Sequence, residues 1–327
     1  MKKFFFVLTL IGALMVSCRP ASKGGSTSVV QTVVDVPAFN ADSAYRYVAE
    51  QVAFGPRVPN SEAHARCADY LAAKLRSFGA EVVVQEADLK AFDNTILHAK
   101  NIIGRFQPEK NNRILLFAHW DSRPFADHDP DPSRRDEPIL GASDGASGVG
   151  VLLEIARQLG QTATQAGVDI IFFDAEDYGT PDHKDVPYME DSWCLGSQYW
   201  AKNPHVKNYT AQFGILLDMV GAKDATFYLE QYSMQTAPQV TKKIWNTAAS
   251  LGHGRYFVFE NGGMITDDHV YVNRYTGIPC VDIIQHDPTS RTSFGIYWHT
   301  HADDMSIISR ETLGAVGETV MKVLCVN

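Results

Sequence analysis

His119 and Asp121 close the apolar run RILLFAHWDS, and Asp174, Glu176 and Asp177 close a second run, VDIIFFDAED. Zinc takes imidazole nitrogen and carboxylate oxygen in a tetrahedral catalytic set, with one position left for water or substrate. A further acid, Asp144, lies in the small-residue turn GASDGASG ahead of a helix-length segment. Later in the chain, Asp218 ends AQFGILLDMV, Asp267 and Asp268 precede His269, and His299 follows Trp298. Any one of these residues alone is more often structural than catalytic. Their joint placement, mostly just after a predicted strand or opening a helix, points to a zinc site.

The elements that must position them are legible from periodicity. Residues 114–118 and 168–173 are apolar without alternation and are joined by a helix-length segment, which predicts two fully buried parallel strands. Ligands of open α/β sheets bind outside the carboxyl ends of such strands, where these acids and imidazoles fall. Apolar spacing predicts helices over 42–52, 61–78, 147–159, 235–251 and 310–324, with Ser61 opening the second and Gly79 closing it. Residues 81–88 and 100–106 read as an antiparallel edge pair, and 211–220, 225–230, 256–259 and 277–284 as further strands. The expected fold is a single-domain α/β protein, three-layer α/β/α, with a mixed, mostly parallel central sheet. The long loop 122–138 carries Asp127, His128, Asp129, Asp131, Arg134 and Arg135, and its charges read as a solvated face.

A chain of 327 residues can bury a large core without metal or disulfide staples, so a metal here serves chemistry. The formal net charge of −9 argues against a nucleic-acid surface. Five cysteines show no metal spacing, and Cys194 and Cys280 read as small buried hydrophobes. At the start, Lys2 and Lys3 precede an apolar run over 4–16, too short for a permanent span, and Leu14-Met15-Val16-Ser17-Cys18 resembles a bacterial lipobox. The expected organisation is a signal peptide over 1–17, a tether over 18–37 acylated at Cys18, and a catalytic domain over 38–327. Such a protein faces the periplasm, touches a membrane only through Cys18, and is taken as a monomer.

The combination HxD, GAxDxxSG, Glu-Asp, LLD and WHT resembles the zinc-dependent aminopeptidase family and its sister branch, the animal-type glutaminyl cyclases, over nearly everything after the tether. The resemblance implies a zinc-exopeptidase-like fold, with Asp144, Asp177 and His299 as ligands of the zinc common to both branches and Glu176 as general acid/base. It implies His119 and Asp218 as ligands of a second zinc that the aminopeptidases hold, with Asp121 supporting His119 from behind. Thr266-Asp267-Asp268-His269 looks like the cyclase element, in which Asp267 joins Glu176 and Asp218 in a chain of acids. Trp193 and Trp298 stand where cyclases carry pocket indoles, and Thr266 and Asp282 are also expected at the substrate. The chain departs from the animal enzymes at Asp177, where they carry Glu, and at Asp282, where they carry His; GASDGASG is closer to the peptidase form. The implied activity is conversion of N-terminal glutamine of peptides or proteins to pyroglutamate with release of ammonia. One zinc ion is expected, and two are compatible. Zinc aminopeptidase is the alternative activity, and an inactive peptide-binding lipoprotein the non-enzymatic one.

Overall fold

The computed structural model describes residues 36–187 and 189–326. The signal peptide, Cys18 and nearly all of the tether lie outside the described residues. In chain order the elements are α1 (Ala41–Val52), α2 (Glu62–Ser77), β1 (Glu81–Lys90), β2 (Ile96–Phe106), β3 (Arg113–His119), α3 (Ala146–Leu159), β4 (Gly167–Phe173) and α4 (Leu195–Lys202). They continue with β5 (Gly214–Asp218), β6 (Phe227–Leu229), α5 (Gln231–Thr236), α6 (Pro238–Ser250), β7 (Phe257–Asn261), α7 (Asp268–Thr276), β8 (Cys280–Ile284) and α8 (Arg310–Cys325).

Six strands form one sheet in the order β1-β2-β4-β3-β5-β8. The pairs β4–β3, β3–β5 and β5–β8 are parallel, whereas β2 is antiparallel to both neighbours, which gives the expected mixed sheet. Every residue of β3, β4, β5 and β8 is buried, because helices cover both faces. Successive side chains alternate between those faces. Ile114, Leu116 and Ala118 of β3 join the core shared with α1, α2, α3, α6 and α8, while Leu115 and Phe117 pack with residues of α4 and α7. Each such side chain, fully removed from water, contributes about 1.5–3 kcal/mol.

Caps account for where the covering helices begin. Asn40, Ser61 and Ser309 each accept a hydrogen bond from a first-turn N–H, of Ser43, His64 and Thr312 respectively. Helix α3 has no side-chain cap and starts instead from Gly145, at φ 99°. A Cβ on Gly148 would lie 2.0 Å from the Leu217 carbonyl oxygen, so only glycine lets the first turn of α3 press against β5. That contact brings Asp144, just before α3, to the end of β5 where Asp218 sits.

Two sequence expectations change. Residues 225–230 and 256–259 do not join the central sheet; β6 and β7 pair with each other as a separate two-stranded sheet. Both segments are short, and apolarity does not specify which partner a strand takes. The helix expected over 235–251 is α6, which starts only at Pro238, whose fixed φ suits its first turn; residues 235 and 236 instead close the short separate helix α5.

Candidate active site

The carboxyl ends of β3, β4 and β5 lie side by side, because those strands run parallel in adjacent positions. His119 Nε2 is 3.0 Å from Asp144 Oδ1 and 3.1 Å from Asp218 Oδ1. His299 Nε2 is 3.5 Å from Asp144 Oδ2 and 3.4 Å from Asp177 Oδ1. Each triad, Asp144/Asp177/His299 and His119/Asp144/Asp218, has its donor atoms within 4.8 Å of one another, and both are buried. Asp144 belongs to both groups, with one oxygen toward each imidazole.

Three carboxylates converging out of water repel one another unless a cation lies among them. Asp177 is pushed up to about 6 by burial and then by Asp144, with His299 opposing. Its Oδ2 is buried without a hydrogen-bond partner among the described residues, as an oxygen kept for a cation would be. Nitrogen and carboxylate oxygen in this number suit zinc, so the residues present fit the metal.

Backbone strain accompanies the candidate ligands. Ala175, Met219 and His299 have φ of 52°, 48° and 53°, left-handed values that a residue other than glycine adopts only when its surroundings require it. Asp121 holds the turn that carries the Glu-Asp pair, its two oxygens accepting from the N–H groups of Glu176 and Asp177, both at 3.1 Å. The same carboxylate lies 3.6 Å from His119 Nδ1, so it backs that imidazole as well. Asp303 accepts from the N–H groups of Ser143 and Asp144, and fully buried Arg57 donates to the carbonyls of Trp120, Leu140 and Gly141. The loops after β3 and before α3 are thereby tied together.

Glu176 is the acid placed beside the triads rather than in one. The Cys194 thiol donates to its Oε1 at 3.1 Å, and Glu176, Cys194 and Asp267 hold their donor atoms within 4.8 Å of one another. Burial raises the Glu176 pKa well above the ordinary carboxyl value; Asp267, Asp177 and Asp268 add to the rise, and His119 opposes it. Asp267, pushed up to about 7 by burial and then by Asp218, caps α7 by accepting from the Asp268 N–H. A cleft of about 340 Å3 opens over these groups, lined among others by Trp193, Trp298, Thr266, Ile265 and Phe294. The Trp298 ring stacks on His299 with centroids 3.7 Å apart.

With that geometry in view, the family model described as peptidase family M28 matches residues 101–324. The chain belongs to peptidase family M28. A glutaminyl cyclase from Tannerella forsythia has 59% sequence identity and a TM-score of 0.88, over 89% of this chain and 100% of that one. A Zn-dependent exopeptidase from Parabacteroides distasonis has 61% identity and a TM-score of 0.89, over 90% of this chain and 100% of that one. The glutaminyl-peptide cyclotransferase of Drosophila melanogaster is 26% identical over 281 residues, 79% of this chain and 73% of its own length. The α/β zinc-exopeptidase-like fold expected from the sequence is therefore the fold of this M28 chain.

Several side chains of this M28 site differ from expectation. Asp174 follows β4 as Glu176 does, yet turns away: His64 Nε2 is 2.7 Å from its Oδ2, and the N–H groups of Lys100 and Ala175 donate to it. Asp282 does not line the cleft; it is fully buried behind it, 3.6 Å from His269 Nδ1, because its strand β8 points that side chain into the α5–α7 layer. Loop 122–138 is no merely solvated face. Arg123 is fully buried, donates to both oxygens of Asp127 at 3.1 and 2.6 Å and to the Asp177 carbonyl at 2.9 Å, and lies 4.3 Å from the centre of a Trp193 ring. Asp127 Oδ1 in turn is 3.2 Å from His299 Nδ1. The one available hint was the departure of this loop directly from His119. From the sequence Cys194 reads as packing, and its contact with Glu176 has no signature there.

Proposed function

We propose that this M28 enzyme is a glutaminyl-peptide cyclotransferase, with Glu176 as acid/base and Asp144, Asp177 and His299 as the zinc ligands. The observation that carries the reading is the placement of Glu176 against Asp267 under an indole-walled cleft, directly beside a complete His/Asp/Asp triad. Its substrates are peptides or proteins that begin with glutamine. When bound, zinc polarises the side-chain amide of that glutamine as a Lewis acid.

The remaining steps belong to the chain's own groups. The substrate α-amine attacks the side-chain amide carbon, so a C–N bond forms within the substrate and the bond to the amide nitrogen breaks. Glu176 takes the proton that the amine loses and returns one to the departing ammonia, which requires a carboxyl whose pKa is raised as burial and Asp267 raise this one. Trp193 and Trp298 hold the glutamine in the folded rotamer that intramolecular attack needs. Asp218 and Asp267 keep Glu176 within a chain of acids, and Thr266 contributes to the cleft wall. Glu176→Gln should reduce ammonia release by at least about 100-fold while zinc content stays at the wild-type value. Retained turnover in that variant would place the base elsewhere.

The alternative, a zinc aminopeptidase, has one specific observation in its favour: His119 and Asp218 stand with Asp144 as a second buried triad able to take a second ion. Turnover of an N-terminal glutamine peptide against a leucine anilide, with zinc stoichiometry measured on the same sample, separates the two activities. For location, a signal peptide over 1–17 and acylation of Cys18 would place the domain at the periplasmic side of the cell envelope. Among the described residues no helix is long and apolar enough to cross a membrane. Cys18→Ser should move the protein from the membrane fraction to the soluble one.

A further inference from the structure

A groove of about 610 Å3 adjoins the cleft and shares Trp298, Asp127 and Asp182 with it. The charges of the two spaces are opposed. The cleft wall carries Asp144, Glu176, Asp177, Asp191, Asp218 and Asp267; Asp144 and Asp177 face the zinc position and Asp191 is 3.4 Å from Arg274, which leaves Glu176, Asp218 and Asp267 with no lysine or arginine partner among the described residues. The groove presents Arg135 and Arg291. Of its own acids, Asp127 is ion-paired with Arg123, and Asp182 lies 3.0 Å from the His128 imidazole, so the two arginines outnumber the one acid left without a cationic partner. Arg135 donates only to the Asp129 backbone carbonyl at 2.8 Å, and neither arginine is ion-paired with a carboxylate among the described residues. Two cations without acidic partners stand out in a chain of net charge −9. Ile296, 90% exposed on the lip of the same groove, adds apolar surface for an extended chain.

Resting on the cyclase reading of the cleft, we propose that this groove binds the residues following the N-terminal glutamine and selects a carboxylate among them. An extended peptide advances about 3.3–3.6 Å per residue, so a chain leaving the cleft past Trp298 enters the groove within the next few residues. A substrate with its amine at one end and an acid shortly after matches the charge order of the two spaces, which favours correctly oriented encounter.

Two peptides test this, Gln-Ala-Glu-Ala amide and Gln-Ala-Lys-Ala amide, with ammonia release as the readout. At low salt kcat/KM should favour the glutamate peptide by about fivefold, the size expected of partly exposed ion pairs, and high salt should shrink the ratio. Arg135→Ala combined with Arg291→Ala should bring the ratio close to one. Arg291→Glu, on an exposed side chain, should lower the ratio by itself and serves if the double variant folds poorly. Equal kcat/KM for the two peptides in the wild type, or a preference that survives loss of both arginines, overturns the inference and leaves the cyclase reading intact. Absence of ammonia release from both peptides would defeat that reading, and the inference with it.

Discussion

Asp127→Asn separates metal affinity from acid/base chemistry, because the side chain stands behind the imidazole of a candidate ligand, His299, and outside the group formed by Glu176, Cys194 and Asp267. Asp127 Oδ1 lies 3.2 Å from His299 Nδ1, and Arg123 donates to both carboxylate oxygens. Burial alone would raise the Asp127 pKa; the adjacent His299 imidazole and the hydrogen bonds from Arg123 prevail and hold it well below the ordinary carboxylate range. An ionised Asp127 therefore keeps the His299 proton on Nδ1 and leaves Nε2, which faces Asp144 and Asp177, free to bind a cation. Asparagine preserves the shape and removes the charge. Loss of a carboxylate behind a ligand histidine typically weakens metal binding 10–100-fold, about 1.4–2.7 kcal/mol. The upper end is expected here. Arg123 loses its counter-charge, and with Nη1 3.6 Å from Asp177 Oδ1 it then opposes the incoming ion. Competition against a chromophoric chelator gives the zinc dissociation constant, and a thermal melt on the same sample reports folding. A variant that melts like the wild type and binds zinc within threefold of it would refute this account of the Arg123–Asp127–His299 chain.

Cys194→Ala removes the thiol that donates to Glu176 Oε1 and should lower kcat about tenfold with KM unchanged, while Cys194→Ser, which keeps a donor, should retain most of the rate. Equal kcat in the alanine variant and the wild type would reduce Cys194 to packing. His205 accepts a hydrogen bond from Trp200 Nε1, and burial lowers its pKa from 6.5 to about 4. The unfolded chain therefore binds a proton that the folded one refuses between those values, so stability present above pH 6.5 is lost as pH falls toward 4, by on the order of 3 kcal/mol. His205→Asn should flatten the melting temperature over that window, and an unchanged pH profile would contradict the assignment.

The acids at the ends of β3, β4 and β5 could be found without coordinates, because a strand buried on both faces is a continuous apolar run and its end is where the run stops. The helices α1, α2, α3 and α8 were legible for a similar local reason, an apolar repeat bounded by a cap or a glycine. Asp174 and Glu176 show the limit of such reading. They are two residues apart at the end of one strand, yet one turns to His64, 110 residues away in sequence, and the other faces the cleft. Asp127 looked like loop charge until Arg123 and His299 enclosed it, and Cys194 looked like filler until α4 brought its sulfur to Glu176. Composition and periodicity thus determined most of the elements and the acids and imidazoles at the strand ends, since burial writes itself into local apolar pattern, whereas the choice of Asp144, Asp177 and His299 among them rested on the family resemblance. Only tertiary structure decided which acids share the cleft, which turn away, and what holds each ligand, because a side chain's partner depends on packing between segments far apart in sequence.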